Sequence, residues 1–363
     1  HCGHNTYCNL KVAICSFSAR GANLGKKIAN YFASIGWNVS SWTMAKYSEE
    51  TGVAAYPVDY KETTQEIFSC YDALVYVGAT GIAVRAIAPH LKSKLTDPAV
   101  LNVDECANFV IPLCAGHIGG GNELARALAK ALGATACVTT ATDVNGLFAV
   151  DEWAARNNFI IDGLPEAKDF AAELVAGKEV GFARDEGFQV TSALPKLVVN
   201  SLEPEVGLCI TLDKTKAPFK KTLRLLPKIL HLGIGCRRNT PLENIEALVL
   251  PTLEELKLDL RCIAGLASVD LKKDEQGLLA FAKKYHWPIT FYTADELNQL
   301  EGEFTPSAFV KSVVGVSNVC ERSAVKDAGN NNLLLKKISK NGVTLAIACE
   351  DVSLDFTKTR LKK

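Results

Sequence analysis

"FVIPLCAGHIGGGNELARALAKALG", residues 109–133, sets an apolar run, a cluster of glycines and a strong helix former end to end. Consecutive glycines carry a large backbone-entropy cost, so Gly119, Gly120 and Gly121 imply a geometric reason for their presence. A His stands two positions before them and a Glu two positions after. The same strand–glycine–helix grammar recurs in "ALVYVGATGIAVRAIAPHL" (73–91) and in "ILHLGIGCRRNTPLENI" (229–245). "KVAICSF" (11–17) leads likewise into the helical spacing of "GANLGKKIANYFASIG" (21–36). Strands alternating with amphipathic helices predict a parallel, doubly wound α/β sheet. Ligands in such sheets bind beyond the carboxyl ends of the strands, where the glycine turns are expected to fall.

At 363 residues the chain is long enough for two or three domains. The grammar loosens from about residue 150 and restarts at "ILHLGIG". The expected division is an N-terminal α/β domain with glycine-rich turns over 1–137, a small α+β middle domain with linker over 138–228, and a second α/β domain over 229–363. Within the middle part, "KTKAPFKKTLRLLPK" is basic and proline-marked and reads as a hairpin or linker. In the C-terminal part, Asn341 followed by Gly342 is the strongest short hairpin signal.

Lys plus Arg and Asp plus Glu both number 40, a balance that argues against a nucleic-acid binder. No apolar run approaches the length of a membrane span, and no secretory signal is visible, so a cytoplasmic protein is expected. Of the 12 cysteines, Cys15, Cys114, Cys137, Cys209 and Cys349 lie in apolar, strand-like runs and read as small hydrophobes. The N-terminal "HCGHNTYC" holds His1, Cys2, His4 and Cys8, but without a C-x-x-C pair or a second half-site it makes no zinc signature. Nucleotide fingerprints fail. "GANLGKK" has three residues between its glycines where a P-loop needs four, a G-x-G-x-x-G frame from Gly119 meets Leu124, and "GIGCRR" ends on Arg238 where the third glycine belongs. The glycines serve another ligand.

Seven stretches in one order resemble the cobalt-precorrin-5A hydrolase (CbiG) family of anaerobic cobalamin biosynthesis. They are "VGATGIAVRAIAPHLKSKLTDPAV", "VDE", "FVIPLCAGHIGGGNELA", "ALGATACVTTATD", "GIGCRRNTPLENI", "LASVDLKKDEQGLLAFAKK" and "VGVSNVCERSAV". The family's wording is closer to "SGH-x-GGANELA" and "GCRRGT"; Cys114, Ala115, Gly121 and Asn239 depart from it, on flanks rather than on His117, Glu123 or Arg237. The resemblance implies a hydrolase acting on a carbon–carbon bond. It opens a ring-attached δ-lactone of cobalt-precorrin-5A and expels the meso carbon as acetaldehyde to give cobalt-precorrin-5B. It implies no cofactor beyond the cobalt carried by the substrate. The expected partners are that cobalt-containing tetrapyrrole and neighbouring enzymes of the pathway.

That chemistry asks for a general base, an oxyanion site and groups to hold carboxylates. His117 suits proton transfer near neutral pH, and Glu123 is the rival base, although a helix dipole alone favours a Glu in that place. Asp104 and Glu105 form an adjacent acid pair. Gly119, Gly120 and Gly121 open the helix start to an oxyanion or a propionate. Arg85 reads as a carboxylate clamp on the same sheet edge as His117. Arg237 and Arg238 read as an anion fork after "GIGC", and Lys272 and Lys273 follow the next strand. Thr139, Thr140, Thr142 and Asp143 equally cap a helix. Glu321, three residues after Asn318, has the spacing of a capping box. The alternative function is a non-catalytic module that binds corrinoid intermediates, for which neither His117 nor Glu123 is needed.

Overall fold

Short apolar runs become buried strands in this chain, and the amphipathic segments between them become the helices that cover those strands. The computed structural model describes residues 10–93, 96–115, 120–305 and 318–357. The N-terminal His/Cys cluster, His117 and Gly119 lie outside the described residues. One unit ends at Ala155 and a second runs Arg156–Thr357. Both are α/β.

The first unit contains, in chain order, β1 (Lys11–Ser16), α1 (Ala19–Ser34), β2 (Asn38–Thr43), α2 (Ala45–Thr51), β3 (Ala54–Ala55), α3 (Tyr60–Ile67), β4 (Ala73–Val77), α4 (Thr80–Ile87), β5 (Ala99–Val103), β6 (Phe109–Cys114), α5 (Gly121–Leu132) and β7 (Thr135–Ala136). Two short helices, α6 (Ala141–Val144) and α7 (Val150–Arg156), follow. The sheet order is β3-β2-β1-β4-β5-β6-β7. Helices α1 and α5 cover one face through Ile28, Phe32, Leu124 and Leu128. Helices α3 and α4 cover the other through Ile67, Ala83 and Ile87. This is a doubly wound sheet, with one departure from the parallel expectation: β6 runs antiparallel to β5. Residues 104–108 are all that join the two, and a parallel crossover needs a dozen residues or more.

The second unit continues with β8 (Phe159–Asp162), α8 (Leu164–Val175), β9 (Val180–Arg184), β10 (Gln189–Val190), β11 (Val198–Val199), β12 (Val206–Ile210), β13 (Lys221–Pro227), β14 (Leu230–Cys236), α9 (Leu242–Glu255), β15 (Ile263–Val269), α10 (Gln276–Lys284), β16 (Ile289–Tyr292), α11 (Ala294–Asn298), α12 (Val319–Ala328), β17 (Leu333–Lys340), β18 (Val343–Cys349) and β19 (Ser353–Leu354). Two five-stranded sheets form, β11-β9-β12-β13-β8 and β16-β15-β14-β18-β17. Arg261 ties them together by reaching Asp162 at 2.8 Å, and β19 pairs with β10.

The basic stretch expected as a hairpin or linker is a connecting loop over 214–220, but its remainder is strand β13, whose Leu223, Leu225 and Leu226 are fully buried. Its lysines mask a run that is apolar on both faces, as a strand with a parallel neighbour tends to be. Phe219, just before it, lies over Gly181 and Gly207, where a Cβ would fall 2.2 and 2.4 Å from its ring. The Asn341 and Gly342 signal does make a hairpin between β17 and β18. Both residues have positive φ (50° and 78°), as a type I′ turn requires. Cys15 and Cys209 are buried as expected for small hydrophobes, and burial pushes the Cys15 thiol up to about 12. No helix among the described residues is long and apolar enough to cross a membrane.

Two features of the second unit generate measurements. A Cβ on Gly233 in β14 would lie 1.7 Å from the Cys320 carbonyl oxygen of α12, so the helix backbone rests directly on the strand. Gly233→Ala is expected to destabilise the fold by at least about 1–3 kcal/mol, read as a lowered chemical-unfolding midpoint. An unchanged midpoint would contradict the contact. The second feature is His231 in β14, 8% exposed, with Nδ1 2.6 Å from Asp327 and Nε2 2.7 Å from Glu350. Burial opposes the imidazolium, but the hydrogen bonds and charges of the two carboxylates outweigh it and push the pKa up to about 9. A folded pKa above the unfolded value of about 6.5 stabilises fully below that pH and loses its contribution as pH rises through about 9. Unfolding titrations across this window should therefore show falling stability in the wild type and a flatter profile in His231→Gln.

Candidate functional site

The turn after β6 starts α5, and its position follows from the reversal of that strand. Cys114 sits opposite Val100, near the start of β5. The glycine turn therefore lies at the edge where β5 begins, whereas α1 and α4 leave from the carboxyl ends of β1 and β4 at the opposite edge. The expectation that the turn preceding Arg85 shares an edge with the glycine turn is corrected on this ground.

Gly120 caps α5 at φ 72°, a left-handed conformation in which glycine meets no steric penalty. Ala115 is held at φ 52°, about 1 kcal/mol uphill for an L residue, and its carbonyl accepts the Gly121 amide at 3.1 Å. The Gly121 N–H is thus used to build the turn. The Asn122 amide, next along, has no acceptor within the helix. Glu123 follows in the first turn and is only 7% exposed. Burial, and then the charge of Glu123, push up the pKa of the Tyr31 phenol on α1.

The Asn122 side-chain amide gives one hydrogen to Thr140 and one to Asp143, both at 3.0 Å. Asp143 also accepts from Thr140 and pairs with Arg126. The segment 139–143, which the sequence left open between a strand-end site and a helix cap, is thereby brought against the start of α5. Sequence reasoning did not single out Asn122; the signal is a polar residue that turns out 2% exposed in the first turn of an amphipathic helix.

The acid pair lies at the other edge. Asp104 accepts from the amides of Cys106 and Phe109 (3.2 and 2.7 Å) and from Asn108 at 3.0 Å, so its oxygens close the β5–β6 turn. Glu105 accepts from Ser18, the N-cap of α1. Neither is brought to Glu123. Arg85 is exposed on α4 and donates to the Gly81 carbonyl at 3.4 Å. Asn102, a polar residue in the apolar run "AVLNV", holds the β4–α4 turn. It donates to the carbonyls of Tyr76 and Gly78 and accepts from Thr80.

In the second unit, Arg237 and Arg238 are exposed at the carboxyl end of β14. The Arg237 amide donates to the Gly342 carbonyl at 3.0 Å, and its carbonyl accepts from Thr240 at 2.7 Å. Asn239 lies at φ 58°, which explains why Asn stands where "GCRRGT" has Gly: Asn tolerates this region better than most side chains. Its amide donates to Glu275 at 2.9 Å. Lys272 meets the other Glu275 oxygen at 3.4 Å, and Lys273 is exposed beside it. Glu321 is only half of the capping box: Asn318 accepts its amide, but its carboxylate takes the amides of Thr305 and Lys337. Burial acts to raise its pKa, and those hydrogen bonds prevail to hold it below the usual range.

Three family descriptions match the chain: "Cobalamin synthesis G N-terminal" over residues 62–143, "Cobalamin biosynthesis central region" over 148–227 and "Cobalamin synthesis G C-terminus" over 230–348. The chain is 34% identical over 356 residues to a cobalt-precorrin-5A hydrolase of Salmonella typhimurium, covering 94% of this chain and 99% of that one. Its identity to a second such hydrolase, from Priestia megaterium, is 30%, over 89% and 92% of the two chains. Among solved structures, a cobalamin biosynthesis protein G homolog from Sulfolobus solfataricus is similar at 25% identity and a TM-score of 0.41, over 93% and 97% of the chains.

The polar knot at the start of α5 predicts a stability effect. Asn122→Ala removes both bonds to the 140–143 segment and should cost about 1–3 kcal/mol. Amide exchange in that segment should also quicken; unchanged exchange there would show that Asn122 does not hold it.

Proposed function

The chain belongs to the cobalt-precorrin-5A hydrolase (CbiG) family of cobalamin biosynthesis, and we propose that it opens the δ-lactone of cobalt-precorrin-5A and releases the extruded meso carbon as acetaldehyde, giving cobalt-precorrin-5B. The observation that carries this reading is the 34% identity to the Salmonella typhimurium hydrolase, sustained over 94% of the chain. We further propose three domains, 1–137, 138–228 and 229–363, a division supported by the limits of the three matched regions.

The proposed chemistry begins with water attacking the lactone carbonyl, a step that needs a base for the water proton and donors for the developing oxyanion. Glu123, buried in the first turn of α5, is one candidate base, and His117, earlier in the same sequence motif, is the other. The Asn122 amide and the positive end of the helix dipole suit an oxyanion or a propionate. Gly120 and Gly121 bring no side chains to that approach. Ring opening frees a secondary alcohol, whose deprotonation drives cleavage of the adjacent carbon–carbon bond, and acetaldehyde leaves. The conjugated macrocycle accepts the electron pair. Arg85, Arg237, Arg238, Lys272 and Lys273 are assigned to the substrate carboxylates. Asp104 and Glu105 stand at the opposite edge with their carboxylates engaged, so the base is not placed on them.

Acetaldehyde release from purified cobalt-precorrin-5A tests the reading. If Glu123 is the base, Glu123→Gln should bind substrate near normally and release acetaldehyde about 10²–10⁴ times more slowly. His117→Ala should do so if the base is His117. A wild-type chain that binds the tetrapyrrole without releasing acetaldehyde would be a binding module instead.

A further inference from the structure

Glu275 is a buried carboxylate that the chemistry above does not use. It is 8% exposed and comes just before α10, between the turns that follow β14 and β15. One oxygen accepts the amide of Asn239, the left-handed residue that ends the arginine turn. The other lies 3.4 Å from the Lys272 ammonium, itself only 17% exposed. Close packing reinforces the junction: a Cβ on Gly277 would fall 2.1 Å from the Thr240 carbonyl oxygen, so α10 abuts the same turn.

A carboxylate placed among cations that are to bind carboxylates is a cost unless it does something else, because it offsets part of their charge. Its bonds indicate what. Arg237 and Arg238 project from a turn whose last residue is conformationally uphill, and Lys272 comes from a different strand end. Glu275 is the group that touches both. We propose that Glu275 is a positioning residue: it fixes the arginine turn and Lys272 in one arrangement that fits the carboxylates of an anionic tetrapyrrole. The inference rests on the substrate class proposed above. Glu275 itself does not contact the ligand.

The test uses the full chain and two readouts, steady-state acetaldehyde release from cobalt-precorrin-5A and fluorescence titration with uroporphyrin, a tetrapyrrole bearing carboxylate side chains. Glu275→Ala should raise KM and the uroporphyrin Kd about tenfold, with kcat held within about twofold, as expected for loss of a charged hydrogen bond. Glu275→Gln keeps an acceptor for Asn239 but loses the charge facing Lys272; it should give an intermediate rise and serves if the Ala variant fails to fold. Removing Arg237 and Arg238 together should erase most of the Glu275 effect on Kd, because the effect passes through them. Unchanged KM and Kd in Glu275→Gln, or effects that simply add to those of the arginine variants, would overturn the proposal. A wild type that releases no acetaldehyde would overturn the hydrolase reading alone, since the uroporphyrin titrations still decide whether Glu275 positions the cations.

Discussion

A carbonyl oxygen occupies the space where residue 233 would carry a side chain. That contact, between Cys320 of α12 and Gly233 of β14, sets the backbone of α12 onto the C-terminal sheet. Once it is seated, Asp327 near the end of the helix meets His231 on the same strand, and Asn318 caps its start. The glycine has no part in chemistry. It permits the approach from which the neighbouring polar contacts follow.

Several polar groups buried in this protein are held by specific partners, and those partners explain where the turns go. Asn102 ties the β4–α4 turn to β5, Asn122 ties the start of α5 to residues 140–143, and Glu321 gathers the amides of Thr305 and Lys337. Each satisfies groups whose burial without a partner would cost several kcal/mol by general experience. These residues hold their own turns and helix starts, while Arg85, Arg237, Arg238 and Lys273 stay exposed and Lys272 is largely covered.

The glycine turns, the hairpin at Asn341 and the helix periodicities were all legible in the sequence because they rest on local rules: φ preferences, spacing and apolar patterning. Strand β13 was not, since its lysines and prolines imitate a linker and only its neighbours in the sheet reveal that both its faces are covered. The sequence offered candidate residues one by one, but not their grouping. Asp104 and Glu105 look as near to the glycine motif along the chain as the 139–143 segment does, yet only the latter reaches the start of α5.

The sequence by itself determined the α/β class and, through motifs in a characteristic order, membership of a cobalamin-biosynthesis family. What only the tertiary structure decided was which edge of a sheet each turn occupies and which residues share it. The physical reason is the direction of one strand. Five residues between β5 and β6 are too few for a crossover, so β6 returns antiparallel. That reversal carries the glycine turn and Glu123 to the edge opposite the one where α1 and α4 begin. Strand direction is a property of pairing, and pairing is settled by residues far apart in the chain.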